Sequence, residues 1–111
     1  MHEAIPAQNE RLKERRAAGP LEIAICGLQI QVLGGVYKTS ADTELMVESV
    51  SIGPTQTFLE IGCGTGAVSI ALGKNAKSGI GVDVNPIAIE NSRLNAARHH
   101  TENVQFLESN L

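Results

Sequence analysis

Three glycines alternate with Cys63 and Thr65 across Gly62-Cys63-Gly64-Thr65-Gly66, directly after the apolar run Phe58-Leu59-Glu60-Ile61. A helix-forming stretch follows at once. Glycine has no Cβ and reaches positive φ cheaply, so such a turn lets backbone lie against a ligand where a side chain would collide. The helix behind it aims unpaired N–H groups at the same place, a seat for a carboxylate or phosphate. Further on, Gly81-Val82-Asp83-Val84-Asn85-Pro86 puts an acid at the end of a second apolar run. A glycine turn followed by an acid about twenty residues later is how an open α/β sheet grips a nucleoside by its ribose. The spacing predicts a nucleoside-containing cofactor held by Gly62, Gly64, Gly66 and Asp83.

Which nucleoside is a separate question. Gly62, Gly64 and Ala67 satisfy G-x-G-x-x-A, the dinucleotide fingerprint, and Asp83 stands where that class has its ribose acid. On glycine spacing alone, an NAD-dependent Rossmann oxidoreductase domain stays open.

The elements that must position these residues alternate between strand and helix. Thr57–Ile61 reads as a strand, Ala67–Leu72 as a helix, Gly79–Val84 as a strand, Pro86–Ala97 as a helix and Val104–Leu107 as a strand. Asn85 followed by Pro86 is a side-chain cap and then proline at the first helical position. Short strands without polar alternation, separated by helices, imply a parallel sheet with helices on both faces. Ahead of them, Leu21 to Val36 alternates apolar and polar residues, broken at Cys26-Gly27 and Gly34-Gly35, which predicts an antiparallel hairpin. Asp42 to Val50 reads as a helix from the spacing of Leu45, Met46 and Val50, with Asp42 as a cap. Residues 1–20 are expected to form a charged helical segment, centred on Ala7 to Ala18 and ended by Gly19-Pro20.

At 111 residues the chain suits one small domain, and its net charge of −3 gives no general electrostatic attraction to nucleic acid. Arg11, Lys13, Arg15 and Arg16 alternate with Glu10 and Glu14, the pattern of a solvated, self-paired helix face. Two cysteines, Cys26 and Cys63, lack the spacing of a disulfide framework or a metal site. His99-His100 suits a helix C-terminus and has no further ligands for a metal. No apolar run reaches membrane-spanning length and the first residues are not a signal peptide, so a reduced cytoplasmic setting and no membrane partner are expected.

Four segments in order carry a family likeness: Gly35-Val36-Tyr37-Lys38-Thr39-Ser40-Ala41-Asp42-Thr43-Glu44-Leu45; Phe58 to Gly66, which with Glu60 reads E-x-G-x-G-x-G; Gly81 to Pro86 with Ala88 and Asn95; and Asn103 to Asn110. From about Gly34 to Leu111 the chain resembles the methyltransferase small-domain group. These S-adenosylmethionine-dependent enzymes include the release-factor glutamine methyltransferases and relatives acting on RNA bases. The resemblance implies a Rossmann-like class I methyltransferase fold with S-adenosyl-L-methionine as cofactor. It places Gly62, Gly64 and Gly66 along the methionine end, Asp83 on the ribose hydroxyls and Val84 on the adenine ring. It puts Glu60 near the sulfonium and amino group, with a purely structural role equally open. Asn110 stands where relatives have an aspartate that accepts from the adenine amine. Thr43, with Thr39 and Ser40, falls in the segment that runs beside the cofactor, and each is also a plausible helix cap.

Family members grip the methyl acceptor with an Asn/Asp-Pro-Pro-Tyr/Phe loop after a fourth parallel strand. Asn85-Pro86 is not that loop, since it follows the second strand and lacks the second proline and the aromatic. No catalytic residue is therefore assigned. Residues 21–111 are expected to be the N-terminal half of a methyltransferase domain, incomplete at about three parallel strands plus a hairpin and inactive alone. The acceptor implied is a nitrogen of a protein glutamine or an RNA base. A non-catalytic binding module stays open, as does self-association through the sheet edge left open after Val104–Leu107.

Overall fold

A computed structural model of the chain describes residues 21–37 and 41–110. The helix expected over 7–18, the basic run within it, and Thr39, Ser40 and Leu111 lie outside the described residues.

Strands β1 (Leu21–Ile25) and β2 (Leu28–Val32) form the expected antiparallel hairpin, with Ile23 opposite Ile30. Its two turn residues, Cys26 and Gly27, both have positive φ, 54° and 73°. That twist matches the right-handed twist of the flanking strands. Leu28, Ile30 and Val32 point inward from β2 and are buried. Helix α1 (Ala41–Ser49) forms where expected, yet Leu45, Met46 and Val50, whose spacing suggested it, are exposed.

Strands β3 (Thr57–Ile61), β4 (Ser78–Asp83) and β5 (Val104–Glu108) make a parallel sheet in that order. They are joined through helices α2 (Ala67–Gly73) and α3 (Pro86–Arg98). Register places Phe58 beside Gly79, and Gly81 beside both Glu60 and Phe106. These share one face because side chains alternate along a strand. The central strand carries glycine there because the aromatic rings of its neighbours lie across it. A Cβ at Gly79 would stand 2.1 Å from the Phe58 ring, and one at Gly81 2.8 Å from the Phe106 ring.

Among the described residues the helices cover this face alone, which narrows the expectation of helices on both. The opposite face presents Leu59, Ile61, Ile80 and Leu107, and Ile61 is 63% exposed. The hairpin forms a third layer outside the helices, and α3 binds it through buried amides. Asn91 Nδ2 and Asn95 Nδ2 both donate to Gln31 O, at 2.7 and 2.8 Å. Gln31 N and Leu33 N return bonds to Asn95 Oδ1 and Asn91 Oδ1, each at 2.9 Å. At the end of α3, His99 Nε2 reaches Gln29 O and Arg98 pairs with Glu22.

Candidate functional site

The chain turns from β3 into α2 through the glycine run, and each bend is fixed by backbone bonds. Gly62 N and Cys63 N both donate to Val82 O, at 2.7 and 2.9 Å, which locks the start of the turn onto the end of β4. Gly62, Gly64 and Gly66 all sit at positive φ. A Cβ at Gly62 or Gly64 would meet nothing within 4 Å, so these two positions face open space. Gly66 differs: it is buried, and its missing Cβ would lie 3.0 Å from Cα, Cβ and Oγ of Ser92 on α3. Its service is to let the turn close onto α3.

Asp83, at the last residue of β4, is held by backbone on both oxygens. Gly64 N donates to Oδ2 and Asn85 N to Oδ1, each at 3.0 Å. Each carboxylate oxygen keeps a second acceptor site. Asp83 is not the helix cap, because Asn85 Oδ1 accepts from Ile87 N at 3.0 Å. The same side chain donates through Nδ2 to Gly35 O at 3.1 Å, tying the Gly34-Gly35 segment to the site.

Glu60 accepts from Ser69 Oγ at 2.6 Å. Burial pushes its carboxyl up to about 7, the nearby charge of Asp83 adds to this, and the Ser69 bonds oppose it. A carboxylate so placed favours a cationic neighbour, which restores its charged form. Cys63 is buried with Sγ 3.5 Å from Ser92 Oγ. Burial pushes this thiol up to about 11, with Glu60 and Asp83 contributing in the same direction. It therefore stays protonated and fills space between the turn and α3.

These groups open onto a cleft of about 810 Å³ at the C-terminal ends of β3 and β4, where open α/β sheets bind their ligands. Of the residues singled out from sequence, Thr43, Glu60, Gly62, Gly64, Asp83 and Val84 line it together. Val84 is 61% exposed, so it is a cleft residue rather than core. Gly66 and Asn110 do not line it: the first is buried beneath α3, the second exposed after β5. Tyr37, Met46 and Asn85 also line the cleft. Sequence reasoning missed Ser69, Ser92 and the cleft role of Tyr37. The available signal was Asn91, Ser92 and Asn95, polar residues one turn apart on a helix face that is otherwise apolar. Among the described residues no three His, Cys, Asp or Glu side chains are grouped to hold a metal, and no helix is long and apolar enough to cross a membrane.

Comparison with known proteins gives consistent matches. A family model described as a methyltransferase domain matches residues 52–111. A Methanocaldococcus jannaschii protein provisionally named a protein N5-glutamine methyltransferase is 37% identical over 90 residues, covering 80% of this chain and 45% of that protein. The release factor glutamine methyltransferase of Fusobacterium nucleatum is 38% identical over 91 residues, covering 77% of this chain and 26% of the relative. The chain thus spans less than half the length of either. Among solved structures, Trm5b of Pyrococcus abyssi superposes with a TM-score of 0.71 at 20% identity, over 81% of this chain and 28% of that one.

Proposed function

The chain belongs to the methyltransferase-domain family, and from that premise we propose that its cleft binds S-adenosyl-L-methionine for methyl transfer to a nitrogen acceptor. The observation that carries the reading is the pairing of Gly64 with Asp83 across the cleft floor, with Glu60 on the same wall.

The residues fit the donor by their chemistry. The free acceptor sites of Asp83 suit a ribose diol, and charge-assisted bonds of this kind contribute roughly 1.5–3 kcal/mol each. Open space over Gly62 and Gly64 suits a ligand that lies on bare backbone. Glu60, raised to about 7 without a cation beside it, suits the ammonium and sulfonium of the methionine moiety. Val84 offers an exposed apolar surface for a flat ring. When bound, the cofactor supplies an electrophilic methyl group. The task of this chain is to hold that group in place, and positioning of this kind contributes on the order of 7–11 kcal/mol to lowering a barrier.

Two relatives named for glutamine methylation support a glutamine side-chain nitrogen as the acceptor, ahead of an RNA base. The test is calorimetry on the full-length protein with S-adenosylhomocysteine and with NADH. Tighter binding of S-adenosylhomocysteine, lost in Asp83→Ala, is expected; the reverse ranking would restore the nicotinamide alternative.

A further inference from the structure

Resting on that cofactor reading, we propose that Ser92 is a positioning residue for the cofactor, acting through Gly64 on Asp83. Ser92 is fully buried on α3 and does not line the cleft, so it touches no ligand. Its hydroxyl donates to Gly64 O at 2.9 Å. The hydroxyl oxygen lies 3.5 Å from Cys63 Sγ, and Ser92 packs so close to Gly66 that a Cβ added there would stand 3.0 Å from it. One helix residue therefore meets the glycine turn at three of its five positions.

Gly64 is the consequential contact. Its N–H is bound by Asp83 Oδ2 and its C=O by Ser92 Oγ, so the residue is held from both ends. With φ at 53° and no side chain, Gly64 has little intrinsic resistance to rotation. The two hydrogen bonds supply it. Deleting the Ser92 hydroxyl leaves the Gly64 carbonyl to seek another donor, and the peptide turns to find one. The amide on Asp83 belongs to the preceding peptide, which meets this one only at the Cα of Gly64. With one of the two peptides unanchored, Gly64 settles at a new φ and ψ, the amide shifts, and the carboxylate loses its aim at the ribose. Asn95 supports the next peptide through Nδ2 to Thr65 O at 2.9 Å, yet it also carries the hairpin, so Ser92 is the cleaner handle.

A merely structural role is separable because a neighbour provides the control. Asn91 is just as buried but bonds only the hairpin, at Gln31 O and Leu33 N. S-adenosylhomocysteine affinity and thermal stability are measured on the full-length protein, Ser92→Ala and Asn91→Ala. Ser92→Cys, which keeps the side-chain length but replaces the hydroxyl by a much weaker donor, is a second route should Ser92→Ala fold poorly. Ser92→Ala is expected to bind about tenfold more weakly, the effect of one lost hydrogen bond at about 1.4 kcal/mol. Asn91→Ala is expected to melt earlier while binding as tightly as the parent. Unchanged affinity in Ser92→Ala, or an equal loss in Asn91→Ala, overturns the proposal. Should the parent prefer NADH, the cofactor reading fails instead, and the same ratios measured with NADH decide the role of Ser92.

Discussion

Gly64 and Asp83 are separated by 19 residues and joined by a 3.0 Å hydrogen bond from backbone amide to carboxylate. The glycine turn and the acid are thus one rigid unit: the turn orients the carboxylate, and the carboxylate tethers the turn. With Asn85 N on its other oxygen, Asp83 presents its remaining lone pairs to the cleft in a single orientation.

That geometry makes asparagine a poor replacement. An amide in place of the carboxylate has one oxygen and one NH₂, so one of the two backbone donors would face another donor. Asp83→Asn is therefore expected to lose S-adenosylhomocysteine affinity as severely as Asp83→Ala, by at least tenfold, and to melt below the parent. Calorimetry and a thermal melt on both variants check this. Near-parental binding by Asp83→Asn would show that the carboxylate is not held as described.

Glu60 ties ligand binding to pH. Its carboxyl, raised to about 7 by burial, is mostly protonated at pH 6 and mostly ionised at pH 8. A cationic ligand requires the ionised form, so affinity should fall by up to about tenfold per unit below pH 7, with proton release on binding near neutrality. The stability sign runs the other way. Because the folded carboxyl holds its proton better than the unfolded one, its contribution to stability is full below the ordinary value. It is lost as pH rises through 7, a loss of roughly 3 kcal/mol in all. Glu60→Gln should melt higher than the parent at pH 8, bind more weakly there, and lose the pH dependence of binding. Melts and titrations at pH 6 and pH 8 separate these effects; a parental pH profile in Glu60→Gln would contradict the assignment.

What the sequence made legible was local. The Gly62–Gly66 turn, the Asn85-Pro86 helix start and the Cys26-Gly27 hairpin turn each declare themselves within a few residues, because φ preference and capping act at that range. The long-range partnerships stayed hidden. Nothing near Gly64 announces that Ser92 will take its carbonyl from 28 residues away, and nothing near Gly79 announces the Phe58 ring. The sheet face that no described helix covers was invisible for a related reason: Leu59, Ile61 and Ile80 read as buried strand whichever side of the sheet the helices take. Leu45 and Met46 misled in the same way, since spacing identifies a helix face but not what lies against it.

Gly64 and Gly66 should respond differently to alanine. Both have positive φ, 53° and 86°, so each substitution carries backbone strain of about 1 kcal/mol or more. Only Gly66 adds a collision, with Ser92 backbone and side chain at 3.0 Å. Gly66→Ala should be destabilised more than Gly64→Ala by overpacking of roughly 1–3 kcal/mol, while Gly64→Ala should still fold. Chemical denaturation of the two variants compares them directly, and equal midpoints would mean that α3 gives way at Ser92.

The edge of the sheet at β5 carries the last prediction. Gly79 N bonds Asn103 O and Ser109 N bonds Asp83 O, so the odd-numbered residues of this segment turn their backbone toward β4. Val104, Phe106 and Glu108 accordingly turn theirs outward, toward the position of an added strand. Arg93 from α3 already occupies the middle of that row: its Nη2 donates to Phe106 O at 2.6 Å. An incoming strand would have to displace a charge-assisted hydrogen bond before pairing, and charged side chains are a common means of protecting open edges. Arg93→Ala should therefore raise the dimeric fraction in sedimentation velocity at high concentration, and Arg93→Lys, which keeps charge and reach, should raise it less. If Arg93→Ala sediments as the parent does, the bond to Phe106 O does not guard the edge, and whatever limits association lies elsewhere on the molecule.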